Sequence, residues 1–302
     1  MVDCRDDIYS VAFLVDGKHV VSGGREGKIR RWRFKDGKEV GTTMDMGSRV
    51  RSIAVSRDGK WIISGTRGGQ VTVWDAESRS KVSEFKAHNK PGVRAVDVSP
   101  DATKIVTGSN DCNACVWSLS TGERLLGPLK HIYWVVAAKF SPDGRLVATA
   151  TWECDSVRVY DSQNGSPVVE FPVQVNSNHS LAWATDSRQL FALSHDGCIH
   201  RVDVSAKTTL SKWHIHSSST PTCIALVNDG AFIAATAHSS ASFWDTNSQE
   251  QIGTVIEYTH YVQSMVMSSN YDLVTCGEKR ITLGTLRGIL PAHYFDSVSV
   301  AT

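Results

Sequence analysis

The 302-residue sequence predicts an all-β chain, a seven-bladed β-propeller of four-stranded antiparallel blades, and three observations predict it. Seven turn dipeptides recur: Asp16-Gly17, Asp58-Gly59, Asp101-Ala102, Asp143-Gly144, Asp186-Ser187, Asp229-Gly230 and the degenerate Asn270-Tyr271. Their first residues lie 42, 43, 42, 43, 43 and 41 positions apart. A second series keeps step at Trp32, Trp74, Trp117, Tyr160, Val202, Trp244 and Gly284. Between these landmarks the apolar residues alternate or form short β-branched blocks bounded by turn residues, which is strand patterning. A period in the low forties marks stacked four-stranded units.

The first unit, residues 8–46, shows the plan. Ser10-Val11-Ala12-Phe13 is strand a, Val20-Val21-Ser22 strand b and Ile29-Arg30-Arg31-Trp32 strand c. Asp16-Gly17 tolerates positive φ and closes the a–b hairpin; Arg25-Glu26-Gly27 closes the next one. The second unit (47–87) repeats these turns at Asp58-Gly59 and Arg67-Gly68-Gly69, and ends strand c on Trp74-Asp75. The third (88–129) turns at Asp101-Ala102, and the fourth (130–174) at Ser141-Pro142-Asp143-Gly144. The fifth (175–215) uses Asp186-Ser187 and His195-Asp196-Gly197, the sixth (216–257) carries Trp244-Asp245, and the seventh (258–286) ends on Gly284. A lone meander has two uncovered faces, so seven must stack around an axis and bury those faces against each other.

Trp74-Asp75 and Trp244-Asp245 resemble the Trp-Asp pairs of WD40 repeats, and Ser141-Pro142-Asp143-Gly144 resembles their a–b turn. Ala87-His88, Lys130-His131 and Thr259-His260 stand where that family has Gly-His. The chain thus resembles a WD40-repeat β-propeller over about residues 8–286, with a general similarity to fungal WD40 proteins. The resemblance implies an interaction scaffold and, inside each blade, a hydrogen-bonded tetrad of His, Ser or Thr, Asp and Trp. Only the third repeat keeps all four, as His88, Thr107, Asp111 and Trp117. The second keeps Ser64 and Trp74 but has Gly68 at the Asp position, and the seventh has Gly284 for Trp. Blade 3 is therefore expected to be the stiffest and blade 7 the first to fray.

WD40 rings usually close by pairing strands from both chain ends. With about seven residues before the first strand a, an N-terminal outer strand has little room. Residues 287–302, with Ile289-Leu290-Pro291 and Tyr294-Phe295, are expected to pack on blade 7 and supply its outer strand, with Pro291 restricted to an edge or bend. The alternative is an open edge and a route to a dimer rather than a monomer.

A net charge of +1, with 21% charged and 41% hydrophobic residues, gives no bulk attraction for nucleic acid or an anionic membrane. No apolar stretch long enough for a signal peptide or a bilayer span occurs, which makes a soluble cytoplasmic protein the default. Seven cysteines, mostly one per repeat, do not form a disulfide framework and read as small buried hydrophobes.

No nucleophile elbow, P-loop or His-Glu-x-x-His motif is present, and the abundant Ser, His and Asp are explained by turns and tetrads. The expectation is a non-enzyme with neither cofactor nor metal. Cys112-Asn113-Ala114-Cys115 is half a zinc site without a second half, and His214-Ile215-His216 lacks a third ligand.

What survives is a surface. Strand order places the d–a loop, the start of strand a and the b–c turn on one rim. There blades 1 to 3 present Arg25, Arg49, Arg51, Arg67 and Arg94, blade 4 presents Trp134 and Trp152, and Tyr9, His179, His195 and Tyr261 complete the face. Arg, Trp and Tyr are enriched at binding hot spots, and Arg forks match carboxylates and phosphates. The reading is a protein or peptide partner bearing an acidic or phosphorylated segment. A small-ligand or glycan reader using Trp134, Trp152 and His179 is the runner-up, and a propeller enzyme is third. The opposite rim reads as ordinary solvated turns.

Overall fold

A computed structural model describes residues 1–90, 92–152, 156–175, 180–215, 221–227, 230–291 and 294. Seven four-stranded antiparallel sheets form the seven blades of a propeller. Blade 1 comprises Ile8–Phe13, His19–Gly24, Lys28–Arg33 and Met44–Asp45, and blade 3 comprises Val93–Val98, Lys104–Ser109, Asn113–Ser118 and Arg124–Lys130. Strands b are the driest part of each blade: Val20, Val21, Ile62, Ile63, Ile105, Val106, Val147 and Ala148 are at most 1% exposed. Outer strands such as Lys81–Lys86 are largely solvated.

Neighbouring blades are stitched by the repeat itself. Buried Ser10 and Ser52 accept, through Oγ, the backbone N–H of Ile53 (3.0 Å) and Val96 (3.1 Å) on the next blade. Asp97 does the same for Phe140 N–H at 2.9 Å. The Cys223 and Cys276 thiols point across the seams between blades 6 and 7 and between blades 7 and 1, toward the carbonyls of Met265 (3.7 Å) and Ile8 (3.8 Å). Close approach also fixes a glycine in strand b: a Cβ on Gly65 would lie 2.5 Å from Val93 Cγ1. Sheets this close cover one another's faces, which is why an isolated unit would not stand.

The ring closes differently from the sequence expectation. Val2–Asp3 pairs antiparallel with Arg280–Thr285, Val2 opposite Ile281 and Asp3 opposite Arg280, and is the outer strand of blade 7. The 2.6 Å bond from Cys4 N–H to the Lys279 carbonyl extends it, and Arg280 Nε lies 3.3 Å from Asp3 Oδ1. The outer strand of blade 1, Met44–Asp45, is just as short, so two residues suffice and the seven-residue leader has room after all. The outer strand expected from the tail is therefore Val2–Asp3, and the alternative of an open edge does not hold either. Leu286, Ile289, Leu290 and Tyr294 instead pack against Phe232, Phe243, Ile252 and Tyr271 of blades 6 and 7. The Tyr294 hydroxyl donates to Asp245 Oδ2 at 2.8 Å, and Tyr271 donates to the Tyr294 carbonyl at 3.0 Å.

Inside the blades the four-residue network is unequal. In blade 3, His88 bonds Asp111 Oδ2 at 2.8 Å and Thr107 Oγ1 at 2.7 Å, and Trp117 Nε1–H donates to the same hydroxyl at 2.8 Å. In blade 2 Met46 takes the histidine's place: Ser64 Oγ–H donates to its sulfur at 3.2 Å while Trp74 donates to Ser64. In blade 7 both ring nitrogens of His260, 5% exposed, have no partner among the described residues, and Gly284 leaves open space where the indole would be.

Candidate functional site

In blades 1 to 4 backbone hydrogen bonds fasten the b–c turn to the start of its own strand a. Arg25 N–H bonds the Asp7 carbonyl, Arg67 N–H that of Arg49, Asn110 N–H that of Gly92, and Trp152 N–H that of Trp134, at 2.8–2.9 Å. One rim therefore carries the side chains of both segments, blade after blade, on rigid strand ends.

On that rim the arginines of blades 2 and 3 lie on aromatic rings. The Arg51 guanidinium sits 4.8 Å from the Tyr9 ring centroid, and that of Arg94 sits 5.1 Å from the Trp134 ring. Trp134 and Trp152 are tilted neighbours with centroids 6.3 Å apart. Arg94 Nε–H donates to Asn110 Oδ1 at 2.7 Å, which fixes the head group.

Among the described residues, Arg49, Arg51, Arg67 and Arg94 have no carboxylate within 4.0 Å. Arg25 differs, with Asp7 at 3.8 Å. Burial lowers Arg94 to about 10, assisted by the positive charge of Arg51. Burial also lowers Arg51, and Arg67 and Arg49 push it the same way. Partly desolvated like charges without counter-charges destabilise one another, and an anion placed among them relieves both penalties. The arrangement can hold a carboxylate or phosphate through guanidinium forks.

Other sequence-derived residues stand apart. Tyr261 packs edge-on to His238, centroids 5.5 Å apart, on the side of blades 6 and 7. His195 is exposed on blade 5, its N–H bonded to the Gln174 carbonyl, and His179 lies outside the described residues. Trp134 and Trp152 do not line the central channel. With Cys112, Ile132 and Tyr133 they border a separate hollow of about 290 Å³. Ile132, Tyr133 and Trp134 are 72%, 45% and 42% exposed. Reading by repeat position missed Ile132 and Tyr133. The available signal was three large apolar residues in a d–a loop, where turn chemistry favours polar ones.

The seven strands a enclose a central channel of about 590 Å³, with Phe13, Val55, Val98, Trp183, Leu226 and Met267 toward its lower end. Its Lys139–Asp97 pair, 3.2 Å apart, is internally matched. Among the described residues no cluster of three or more metal-ligating side chains occurs. Cys115 is buried in a strand of blade 3, Cys112 lies in the adjoining turn, His214 is in an outer strand of blade 5, and His216 is outside the described residues. No helix among the described residues is long and apolar enough to cross a membrane.

Comparison with known proteins places this geometry in a family. The WD domain, G-beta repeat model matches residues 3–33, 37–75 and 79–118. The chain is 28% identical over 141 residues to Actin-interacting protein 1 of Drosophila melanogaster, covering 46% of this chain and 23% of the relative. It is 26% identical over 219 residues to Pre-mRNA-processing factor 19 homolog 2 of Arabidopsis thaliana, covering 70% of this chain and 42% of that one. Against Small ribosomal subunit protein RACK1 of Caenorhabditis elegans it is 27% identical over 133 residues, 39% of this chain and 38% of the relative. The matches thus span less than half the length of these curated relatives. The chain thus carries WD40 repeats, three of them matched directly, in a seven-bladed propeller whose four further blades repeat the same four-stranded plan.

Proposed function

We propose that this propeller is a non-catalytic interaction module that binds an acidic or phosphorylated segment of a protein partner on the arginine-bearing rim of blades 1 to 4. The observation that carries the reading is the group Arg49, Arg51, Arg67 and Arg94: four guanidinium groups on neighbouring blades, two of them stacked on Tyr9 and Trp134, without a carboxylate among the described residues to neutralise them. Stacking holds a guanidinium in place at low entropic cost and leaves its edge donors outward, the geometry suited to recognising a planar carboxylate or a phosphate. Interaction scaffolding is the common role of WD40-repeat proteins, and it agrees with this reading.

The test is capture of peptides from a proteolysed, phosphorylation-preserving extract by the wild-type protein and by a variant with Arg25, Arg49, Arg51, Arg67 and Arg94 changed to Ala, both shown to melt at the same temperature. Selective loss of acidic and phosphorylated peptides from the variant is the expected result. Identical peptide lists would refute the reading.

A further inference from the structure

The hollow beside Arg94 adds a second determinant to the proposed site. Isolated exposed apolar side chains occur elsewhere, at Val15, Val82, Leu125 and Leu210. Ile132, Tyr133 and Trp134 are consecutive, and with the Trp152 ring and Cys112 they form a concave wall rather than a scattered surface. Contiguous exposed apolar surface is unfavourable in water, and in soluble proteins it marks places where something binds. At about 290 Å³ the hollow is at the small end of ligand pockets, a size for one or two side chains rather than a cofactor. Among the described residues no Asp, Glu, His, Lys or Arg lines it, only the Tyr133 hydroxyl and the Cys112 thiol, which burial raises. The hollow therefore takes an uncharged apolar group.

Trp134 belongs to both features: one of the rings that border the hollow is also the ring carrying the Arg94 guanidinium. A ligand seated in the hollow therefore has an anion-binding head group about one side-chain length away. The geometry points to a bipartite ligand, and we infer that the partner segment carries a large apolar residue, aromatic or leucine-like, that fills the hollow of Ile132, Tyr133, Trp134 and Trp152. Its acidic or phosphorylated residue lies within about three positions of that anchor, since an extended chain advances roughly 3.3 Å per residue. The inference rests on the proposed function and narrows its partner class. Charge complementarity favours such a segment over an apolar helix, because Arg94 stacks on the Trp134 ring at the edge of the hollow, with Arg51 near enough to act on it, and rewards acid there.

The experiment is a synthetic array of short random peptides, with and without phosphoserine, probed with the wild-type protein, Ile132→Ser/Tyr133→Ser, and Arg51→Glu/Arg94→Glu, each first checked by thermal melting. Ile132→Ser, at a side chain 72% exposed, serves as a second apolar variant that leaves the blade strands untouched. The wild type is expected to enrich acid together with a large apolar residue at fixed short spacing. The serine variants should keep the acid preference, lose the apolar one, and bind the selected peptides at least about tenfold more weakly, roughly 1.4 kcal/mol. Acid enrichment without any apolar preference would overturn this inference and leave the proposed function standing. Loss of acid enrichment altogether, or capture of a single-stranded RNA oligomer in preference to every peptide, would overturn both.

Discussion

The two rims of the propeller treat their charged side chains in opposite ways. On the lower rim a Ser-x-Asp turn recurs in blades 2, 3 and 4. Ser56, Ser99 and Ser141 donate to Asp58, Asp101 and Asp143 at 2.5–2.6 Å, and the same hydroxyls accept the N–H of Trp61, Lys104 and Leu146. Asp16 and Asp186 of blades 1 and 5 accept the amides that follow them. Every one of these carboxylates has been absorbed into a turn. On the upper rim burial lowers Arg51 and Arg94, with neighbouring arginines pushing the same way, and Arg49, Arg51, Arg67 and Arg94 meet no carboxylate among the described residues. Charge on the lower rim is matched within the fold, and the upper-rim charge without a carboxylate partner among the described residues is what the proposed function assigns to a partner.

The largest expected effect separates these two kinds of charge. Reversing the stacked pair with Arg51→Glu/Arg94→Glu should weaken binding of an acidic segment at least about a hundredfold, near 2.7 kcal/mol, while the melting temperature holds or rises. Fluorescence anisotropy beside thermal unfolding reads both. A matching fall in stability would show that the arginines serve the fold and erase the contrast.

Asp111 sharpens the rule, because it is a carboxylate on the upper side that is fully matched. Burial alone would raise it, but the His88 bond and charge, with Asn113, hold it below the usual carboxylate range. Asp111→Ala should lower stability by about 2 kcal/mol in urea unfolding, the range for removing one partner of a buried charged hydrogen bond. Affinity should stay unchanged. Asp101→Ala on the lower rim removes turn bonds that are more solvated and should cost about 1 kcal/mol.

Acid provides a milder probe with two windows. The Asp58, Asp101 and Asp143 carboxylates are held below the ordinary aspartate value of 3.8 by turn hydrogen bonds, so their contribution is present above that pH and is lost as pH falls through their folded values. His131 acts earlier. Burial, with help from Arg158, lowers it from 6.5 to about 4, so the folded protein keeps a neutral ring that the unfolded chain would protonate. Stability should decline between pH 6.5 and about 4, and His131→Gln should flatten that part of the profile without altering the steeper loss below it.

The sequence made the blades legible because turn and Trp landmarks repeat with the period of the strands, and each b–c turn necessarily shares a rim with the start of strand a. The equivalence of Arg51 and Arg94, 43 residues apart, was visible for that reason. Ring closure was not, since a two-residue strand such as Val2–Asp3 leaves no alternation to detect. Nor was the stacking of Arg51 on Tyr9 and Arg94 on Trp134, because each pair spans two blades and depends on the rotation between them. Tyr261 and His195 show the cost of listing by position alone: both were placed on the correct rim, yet Tyr261 packs on His238 and His195 lies on blade 5. Met46 in the histidine position of blade 2 was equally hidden, because only the Ser64 contact reveals it.

The central claim is tested most directly by titrating a fluorescein-labelled oligoglutamate, and its phosphoserine counterpart, into the wild-type protein and into Arg51→Ala/Arg94→Ala as sodium chloride is raised. The account predicts wild-type affinity that falls steeply with salt, as screening of partly exposed charges requires, and a variant that binds weakly and nearly independently of salt. Equal affinity for the two proteins at every salt concentration would contradict it.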